Sequence, residues 1–256
     1  MADDVKIFFV GAGPGDPELL TVKGRRLLTE ADIVVYAGSL VAKELLSYCR
    51  AEAVVYNSAS MNLGEITEVM IKGARAGKLV VRLHTGDTAF YSAMREQAAI
   101  LSAEGLSFSV VPGVSSASGA AASLRRELTV PGETQTVIFT RLAGRTPVPE
   151  KEALHLLASH RATMCIFLSA AMIDKVVLEL TKGGCPVDTP VAVVYRATWP
   201  DELKITGTLP DIAEKVRAAG ITKHAMVIVG KATGGIGDGE KSLLYDAGFS
   251  HGCRDA

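Results

Sequence analysis

A chain of 256 residues is long enough for two domains of ordinary size, since domains of about 100–150 residues are the commonest. Its formal net charge of -1, with acidic and basic residues nearly matched, gives no overall field that would draw in nucleic acid or an anionic membrane. Cys49, Cys165, Cys185 and Cys253 show no paired metal-ligand spacing, so neither a zinc site nor a disulfide framework is expected.

The opening residues are acidic, and the apolar run Ile7 to Val10 is too short for a signal peptide or a membrane span, so the expectation is a soluble, cytoplasmic protein. That run reads as a strand and feeds the loop Gly11-Ala-Gly-Pro-Gly-Asp16. Asp16 suits an N-cap and Pro17 a first helical position, which predicts a helix over Glu18 to Ala31. A dinucleotide fingerprint would need a third glycine where Asp16 stands. Asp16 would also set a negative charge where a pyrophosphate belongs, so the loop is expected to touch something other than a diphosphate. A tight turn with no ligand is the plain alternative.

Ile33 to Tyr36 gives a second strand and Val54 with Val55 a short third. Asn62 and Glu65 form a capping-box start for a helix that Gly77 ends. Leu79 to His84 is the fourth strand, followed by the loop His84-Thr-Gly-Asp87, a helix over Phe90 to Glu104 and a fifth strand, Phe108 to Val111. Pro112 and Gly113 break the pattern before a small-residue helix, Val114 to Leu124. The second half repeats the grammar with strands at Thr136 to Thr140, Met164 to Leu168, Val191 to Tyr195, Lys204 to Gly207 and Met226 to Gly230. Helices are expected at Lys151 to His160, Ala170 to Lys182 and Asp211 to Ala219. The prediction is an α/β protein: a domain over residues 1–113, a second over 114–232 and a flexible tail over 233–256, each domain built on a five-stranded mixed sheet flanked by helices.

In open α/β sheets ligands bind beyond the carboxyl ends of strands, which selects the loops after Val10, His84, Val111, Leu168 and Tyr195. Asp87, on a glycine turn, either holds hydroxyls or a cationic group or caps the next helix. His84 reads as a core-edge histidine. Arg141 and Arg145 follow a strand in a Gly/Pro loop and suit a polycarboxylate through bidentate pairing, with a solvated turn as the alternative. Trp199 follows another strand, where it either lies against a flat ligand or packs in a core. No serine or cysteine nucleophile stands beside a visible base, no His/Glu metal pattern occurs and there is no Walker loop, so the chemistry is expected from a bound cofactor or from positioning.

Taken together, Val10-Gly-Ala-Gly-Pro-Gly-Asp-Pro-Glu-Leu-Leu20, Gly86-Asp87 and Pro112-Gly-Val-Ser-Ser116 resemble the tetrapyrrole methylases, the two-domain S-adenosylmethionine enzymes of corrin and sirohaem synthesis. Thr134-Gln-Thr-Val137, Thr140-Arg141, Gly144-Arg-Thr-Pro-Val-Pro-Glu150 and Ala197-Thr-Trp-Pro-Asp-Glu202 are similar to the precorrin-4 C11-methyltransferase branch, cobalt-precorrin-4 counterparts included. Thr88 departs from the family's usual Gly-Asp-Pro, which bears on loop rigidity more than on cofactor binding.

The resemblance implies S-adenosylmethionine in a cleft between the domains, leaving as S-adenosylhomocysteine, a polycarboxylate tetrapyrrole acceptor on the cobalamin route, and a homodimer. Family cofactor contacts fall on Pro14, Gly86, Asp87, Ser115, Ser116, Leu168, Ser169, Tyr195, Ala197, Ala225 and Met226. Lys23, Arg82, Arg141, Arg145 and Trp199 are candidates for the acceptor, and His84 is the weak candidate for proton transfer. No nucleic acid, membrane or protein-bound metal is implied, and whether the acceptor carries cobalt leaves no mark on the protein. Another tetrapyrrole or diphthamide methylase is the rival enzyme reading, and a binding module with a dead cleft the non-enzymatic one.

Overall fold

The computed structural model describes residues 5–235 together with Ser242, Gly248 and Ser250. Cys253 and most of the expected tail lie outside the described residues. Two compact units emerge: residues up to Gly119 with Arg196–Asp201, and the described remainder. The sequence places the boundary after Gly113 and keeps Arg196–Asp201 in the second domain. Contacts instead put that six-residue stretch with the first unit, because it packs on a loop some 180 positions earlier.

The first sheet runs β3-β2-β4-β1-β5, with β1 at Ile7–Gly11, β2 at Ile33–Tyr36, β3 at Val54–Asn57, β4 at Val80–His84 and β5 at Phe108–Val111. Each of its registers is parallel, where a mixed sheet is the sequence expectation. Every connection in this half is a crossover, and crossovers return the chain in the same direction. Alternate residues along each strand feed opposite layers. Val10, Val34, Val81 and Leu83 pack with Leu27 and Leu28 of α1 (Val22–Glu30), while Ile7, Phe9, Val35 and Val80 pack with Met70 of α2 (Leu63–Arg75) and Leu101 of α3 (Met94–Ala103). Edge strand β3 stays exposed.

Local chemistry sets the helix ends. Both arms of the α2 capping box form: Glu65 N donates to Asn62 Oδ1 at 3.0 Å, and Asn62 N to Glu65 Oε2 at 2.7 Å. The helix expected from Glu18 is divided. Asp16 caps a single 3-10 turn, Pro17–Leu19, and the chain then re-extends so that Thr21 caps α1, its hydroxyl accepting from Gly24 N at 3.1 Å. Likewise α3 starts at Met94 rather than Phe90, because Tyr91 and Ala93 take left-handed backbone.

In the second unit the order is β6-β7-β10-β8-β9, with β6 at Val137–Arg141, β7 at Thr163–Phe167, β8 at Pro190–Tyr195, β9 at Leu203–Thr208 and β10 at Ala225–Val229. Only β6 and β7 are parallel, so this sheet is mixed as expected. Met164, Ile166, Val191, Val193, Val227 and Val229 carry its core against α5 (Leu154–Ala158), α6 (Ile173–Lys182) and α7 (Leu209–Ala218). Between the sheets in sequence lies α4 (Ser116–Leu124).

Candidate functional site

In the first sheet β1 and β4 are neighbours, yet α1 and α3, which follow them, cover opposite faces. Loops leaving neighbouring strands toward opposite faces open a crevice at the strand ends, the usual ligand position in such sheets. Beyond β1 and β4 the two loops stay bonded: Ala12 N donates to the His84 carbonyl at 2.7 Å, Gly86 N to the Gly13 carbonyl at 2.8 Å, and Gly13 N back to Gly86 at 3.2 Å.

A third loop closes on them. A Cβ on Gly11 would stand 2.6 Å from Gly113 Cα and 2.7 Å from the Gly86 carbonyl oxygen, and one on Gly113 would overlap that same oxygen. Three loops after three strands therefore meet backbone to backbone, and side chains are excluded there. Asp87 ties the arrangement, its Oδ2 accepting Gly113 N at 3.0 Å and its Oδ1 accepting Ala89 N at 2.6 Å. It caps a turn and bridges two loops, whereas α3 begins seven residues later. Thr88, in the place of the family's proline, is buried, and its carbonyl accepts the Ser92 hydroxyl at 2.6 Å. Ser115 opens α4, its Oγ accepting Ala117 N at 3.2 Å, with Ser116 the first helical residue.

Residues Arg196–Asp201 complete this unit. Trp199 Nε1 donates to the Pro14 carbonyl at 2.8 Å, and Asp16 N donates to Thr198 Oγ1 at 3.0 Å. The Arg196 guanidinium covers the indole at 4.0 Å from its centroid and pairs with Asp201 at 2.6 Å. Trp199 is thus packed against the first unit's core, the second of the two sequence readings. Buried Ala197 lies in the same stretch.

Two candidates change role. Arg82 is 5% exposed and faces the α2/α3 layer, where Nε donates to Gln97 Oε1 at 3.0 Å and Nη1 to the Val35 carbonyl and Ser58 Oγ, each at 3.1 Å. Burial pushes its pKa down to about 10, and its partners are neutral. It is a buried structural cation and not an anchor for acceptor carboxylates. His84, 3% exposed, stacks on Phe9 with ring centroids 5.9 Å apart. Burial, helped by the Arg82 charge, lowers its pKa to about 3, so its conjugate acid is too strong for it to act as a general base near neutrality. The core-edge reading of His84 stands, and the proton-transfer candidacy falls.

The second unit gathers its own strand-end residues. Ser169 is fully buried, its Oγ accepting Leu142 N at 2.9 Å and donating to the Phe167 carbonyl at 2.7 Å, which links the ends of β6 and β7. Beside it Leu168 is 67% exposed with a left-handed φ of 55°, a costly conformation for a side chain of its size. Tyr195 pairs with Ala225 across β8 and β10, and Met226 is buried. Arg141 spends its guanidinium on its own loop, with Nη1 to the Thr146 carbonyl at 3.2 Å and Nη2 to Pro147 at 2.6 Å. Arg145, at the exposed tip it braces, has no ion pair among the described residues, and Lys23 stands exposed on α1.

The sequence matches the family model of the tetrapyrrole (corrin/porphyrin) methylases over residues 6–213. The chain belongs to the tetrapyrrole methylase family. Among curated relatives of this methylase, the cobalt-precorrin-4 C(11)-methyltransferase of Methanocaldococcus jannaschii is 54% identical, with 99% of this chain and 98% of that protein covered. The protein of the same name from Priestia megaterium is 48% identical over 98% of each chain. The precorrin-4 C(11)-methyltransferase of Pseudomonas aeruginosa is 44% identical over 96% of this chain and 97% of its own. Among solved structures, a cobalt precorrin-4 methyltransferase, described as a cobalamin biosynthetic enzyme, superposes with a TM-score of 0.88 at 48% identity, covering 91% of this chain and 98% of its own. A uroporphyrin-III C-methyltransferase of Thermus thermophilus, solved with S-adenyl homocysteine, gives 0.75 at 29% identity, covering 89% and 98%.

Proposed function

We propose that this methylase transfers a methyl group from S-adenosylmethionine to C11 of precorrin-4 in cobalamin biosynthesis. Identity of 44–54% over nearly the whole chain to proteins carrying that activity is the observation on which the reading rests. The two higher identities belong to cobalt-precorrin-4 enzymes, which favours the cobalt-containing form of the acceptor, the metal arriving as part of the substrate.

The residues of the first unit suit this cofactor. Gly11 and Gly113 let the three strand-end loops pack main chain to main chain, since a Cβ on either would collide with backbone, and that packing fixes the loops proposed to hold the cofactor. Asp16 already satisfies the Glu18 amide at the first turn and adds negative charge, so the turn is closed to a phosphate. S-adenosylmethionine has no phosphate and carries a positive sulfonium. Pro14, Gly86, Asp87, Ser115, Ser116 and Ala197 are the residues of this unit proposed to hold it; Leu168, Ser169, Tyr195, Ala225 and Met226 are proposed as cofactor contacts on the family resemblance alone.

When bound, the cofactor supplies an electrophilic methyl whose transfer leaves a neutral thioether. The protein's part is alignment, which contributes roughly 7–11 kcal/mol in favourable cases. Asp87 fixes the loops that set the cofactor's position. Arg145, braced by Arg141, and Lys23 offer cations to acceptor carboxylates, while Arg82 and Trp199 are committed to packing. Positive charge gained by the macrocycle leaves as a proton, taken up by water. Two α/β domains, homodimeric assembly and a cytoplasmic setting complete the proposal; no described helix is long and apolar enough to cross a membrane.

Incubation with S-adenosylmethionine and either metal-free or cobalt precorrin-4, read by mass, tests the reading. One added methyl on at least one acceptor supports it, and turnover of a different tetrapyrrole alone overturns it.

A further inference from the structure

We infer that Thr198 and Trp199 are positioning residues for the cofactor loop: residues 196–201 form a clip that fixes the main chain of Pro14, Gly15 and Asp16. The inference rests on the proposed cofactor site and adds residues whose work is done through another segment.

Three successive loop residues are each held by this one stretch. The Pro14 carbonyl accepts the Trp199 indole N–H at 2.8 Å, and Asp16 N donates to Thr198 Oγ1 at 3.0 Å. Between them Gly15 lies so close to the indole that a Cβ would fall on Trp199 Cδ1 and Nε1. The far side of the ring is closed by Arg196, itself locked by Asp201. Pro14 is pinned from behind as well, since a Cβ on Gly119 would stand 2.7 Å from Pro14 Cβ.

The backbone shows how firmly the clip is set. Arg196 and Thr198 both have left-handed φ, 46° and 69°, and for β-branched Thr198 this is an outlier. Such strain persists only where surrounding contacts over-determine it, and it gathers at ligand clamps. The connection between β8 and β9, residues 196–202, is longer than the two to five residues that usually close a hairpin, so chain reversal alone does not call for this stretch. A loop bearing three glycines within five positions, Gly11, Gly13 and Gly15, has high conformational freedom to lose on binding. Fixing it beforehand lowers that cost, so the clip's contribution is to cofactor affinity.

The test is calorimetric titration of the full chain with S-adenosylhomocysteine, joined to steady-state kinetics. Trp199→Phe keeps a ring and removes the N–H donor; Thr198→Val keeps the shape and removes the acceptor. Each is expected to raise the S-adenosylhomocysteine dissociation constant and the KM for S-adenosylmethionine about tenfold, with the acceptor KM unchanged. Gly15→Ala is expected to do the same by displacing the indole, and to add nothing in a Trp199→Ala background, as required of two residues acting through one contact. Variants with unchanged cofactor binding and only a lower melting temperature would overturn the clip, as would additive effects of Gly15→Ala and Trp199→Ala. Failure of the unaltered protein to bind S-adenosylhomocysteine would instead count against the proposed cofactor site, which keeps the two failures apart.

Discussion

Asp87 Oδ2 accepts the amide of Gly113 at 3.0 Å, joining the loop after β4 to the loop after β5 through one buried-edge carboxylate. Its second oxygen holds Ala89 N. Asp87→Ala therefore strands two amides. The expected result is a stability loss of about 1–3 kcal/mol in urea unfolding, and a fall in S-adenosylhomocysteine affinity of about tenfold or more by calorimetry. Asp87→Asn keeps one carbonyl acceptor and should fall between the two.

Gly113→Ala forces a methyl against the Gly86 carbonyl, so the three-loop cradle has to open. A loss of about 2 kcal/mol or more is expected, with cofactor binding abolished. Gly77→Ala is the control: its Cβ meets nothing within 4 Å, and only its φ of 74° is strained. That variant should lose about 1 kcal/mol and keep full affinity.

Arg145→Ala should raise the acceptor KM several-fold while S-adenosylhomocysteine affinity stays put, because its guanidinium is exposed, has no ion pair among the described residues and is available to acceptor carboxylates. Arg82→Met should show the opposite pattern. It empties the donors from Gln97, Ser58 and the Val35 carbonyl, so thermal stability falls while the acceptor KM of the folded fraction is unchanged.

His84 carries a pH prediction whose sign follows from its depressed pKa. Unfolded, the imidazole titrates near 6.5, but in the fold only at about 3. Stability from the neutral ring is complete above pH 6.5 and is lost as pH falls toward 3, because only the unfolded chain takes up the proton. The limiting slope is about 1.4 kcal/mol per pH unit. Urea unfolding from pH 6.5 to pH 4 should be flatter for His84→Phe than for the parent, and the pH profile of kcat should be unaltered, since His84 transfers no proton.

Periodicity and caps made most of the architecture legible in the sequence, because strands here are apolar runs and α2 announces itself through Asn62 and Glu65. The parallel order of the first sheet was not legible, since strand order depends on which crossover packs beside which. Nor was the break at Leu20 and Thr21, where two capping residues, Asp16 and Thr21, sit five positions apart and compete for one helix start. Arg82 misled for a general reason: a cation within an apolar strand reads as exposed until its neutral acceptors, brought from Val35, Ser58 and Gln97, are in place. Trp199 was visible as unusual, but its hydrogen bond to Pro14 spans 185 positions and leaves no local trace. Arg145 and the Gly86-Asp87 turn stand out in the sequence because they lie on strand-end loops, where function concentrates, and their roles belong to the proposal.

The most direct measurement is a calorimetric titration with S-adenosylhomocysteine followed by a turnover with labelled S-adenosylmethionine and cobalt precorrin-4, the position of the label being read by NMR. Saturable binding and a single labelled methyl at C11 is the predicted result. Absent binding, or a methyl on any other carbon, would contradict the account.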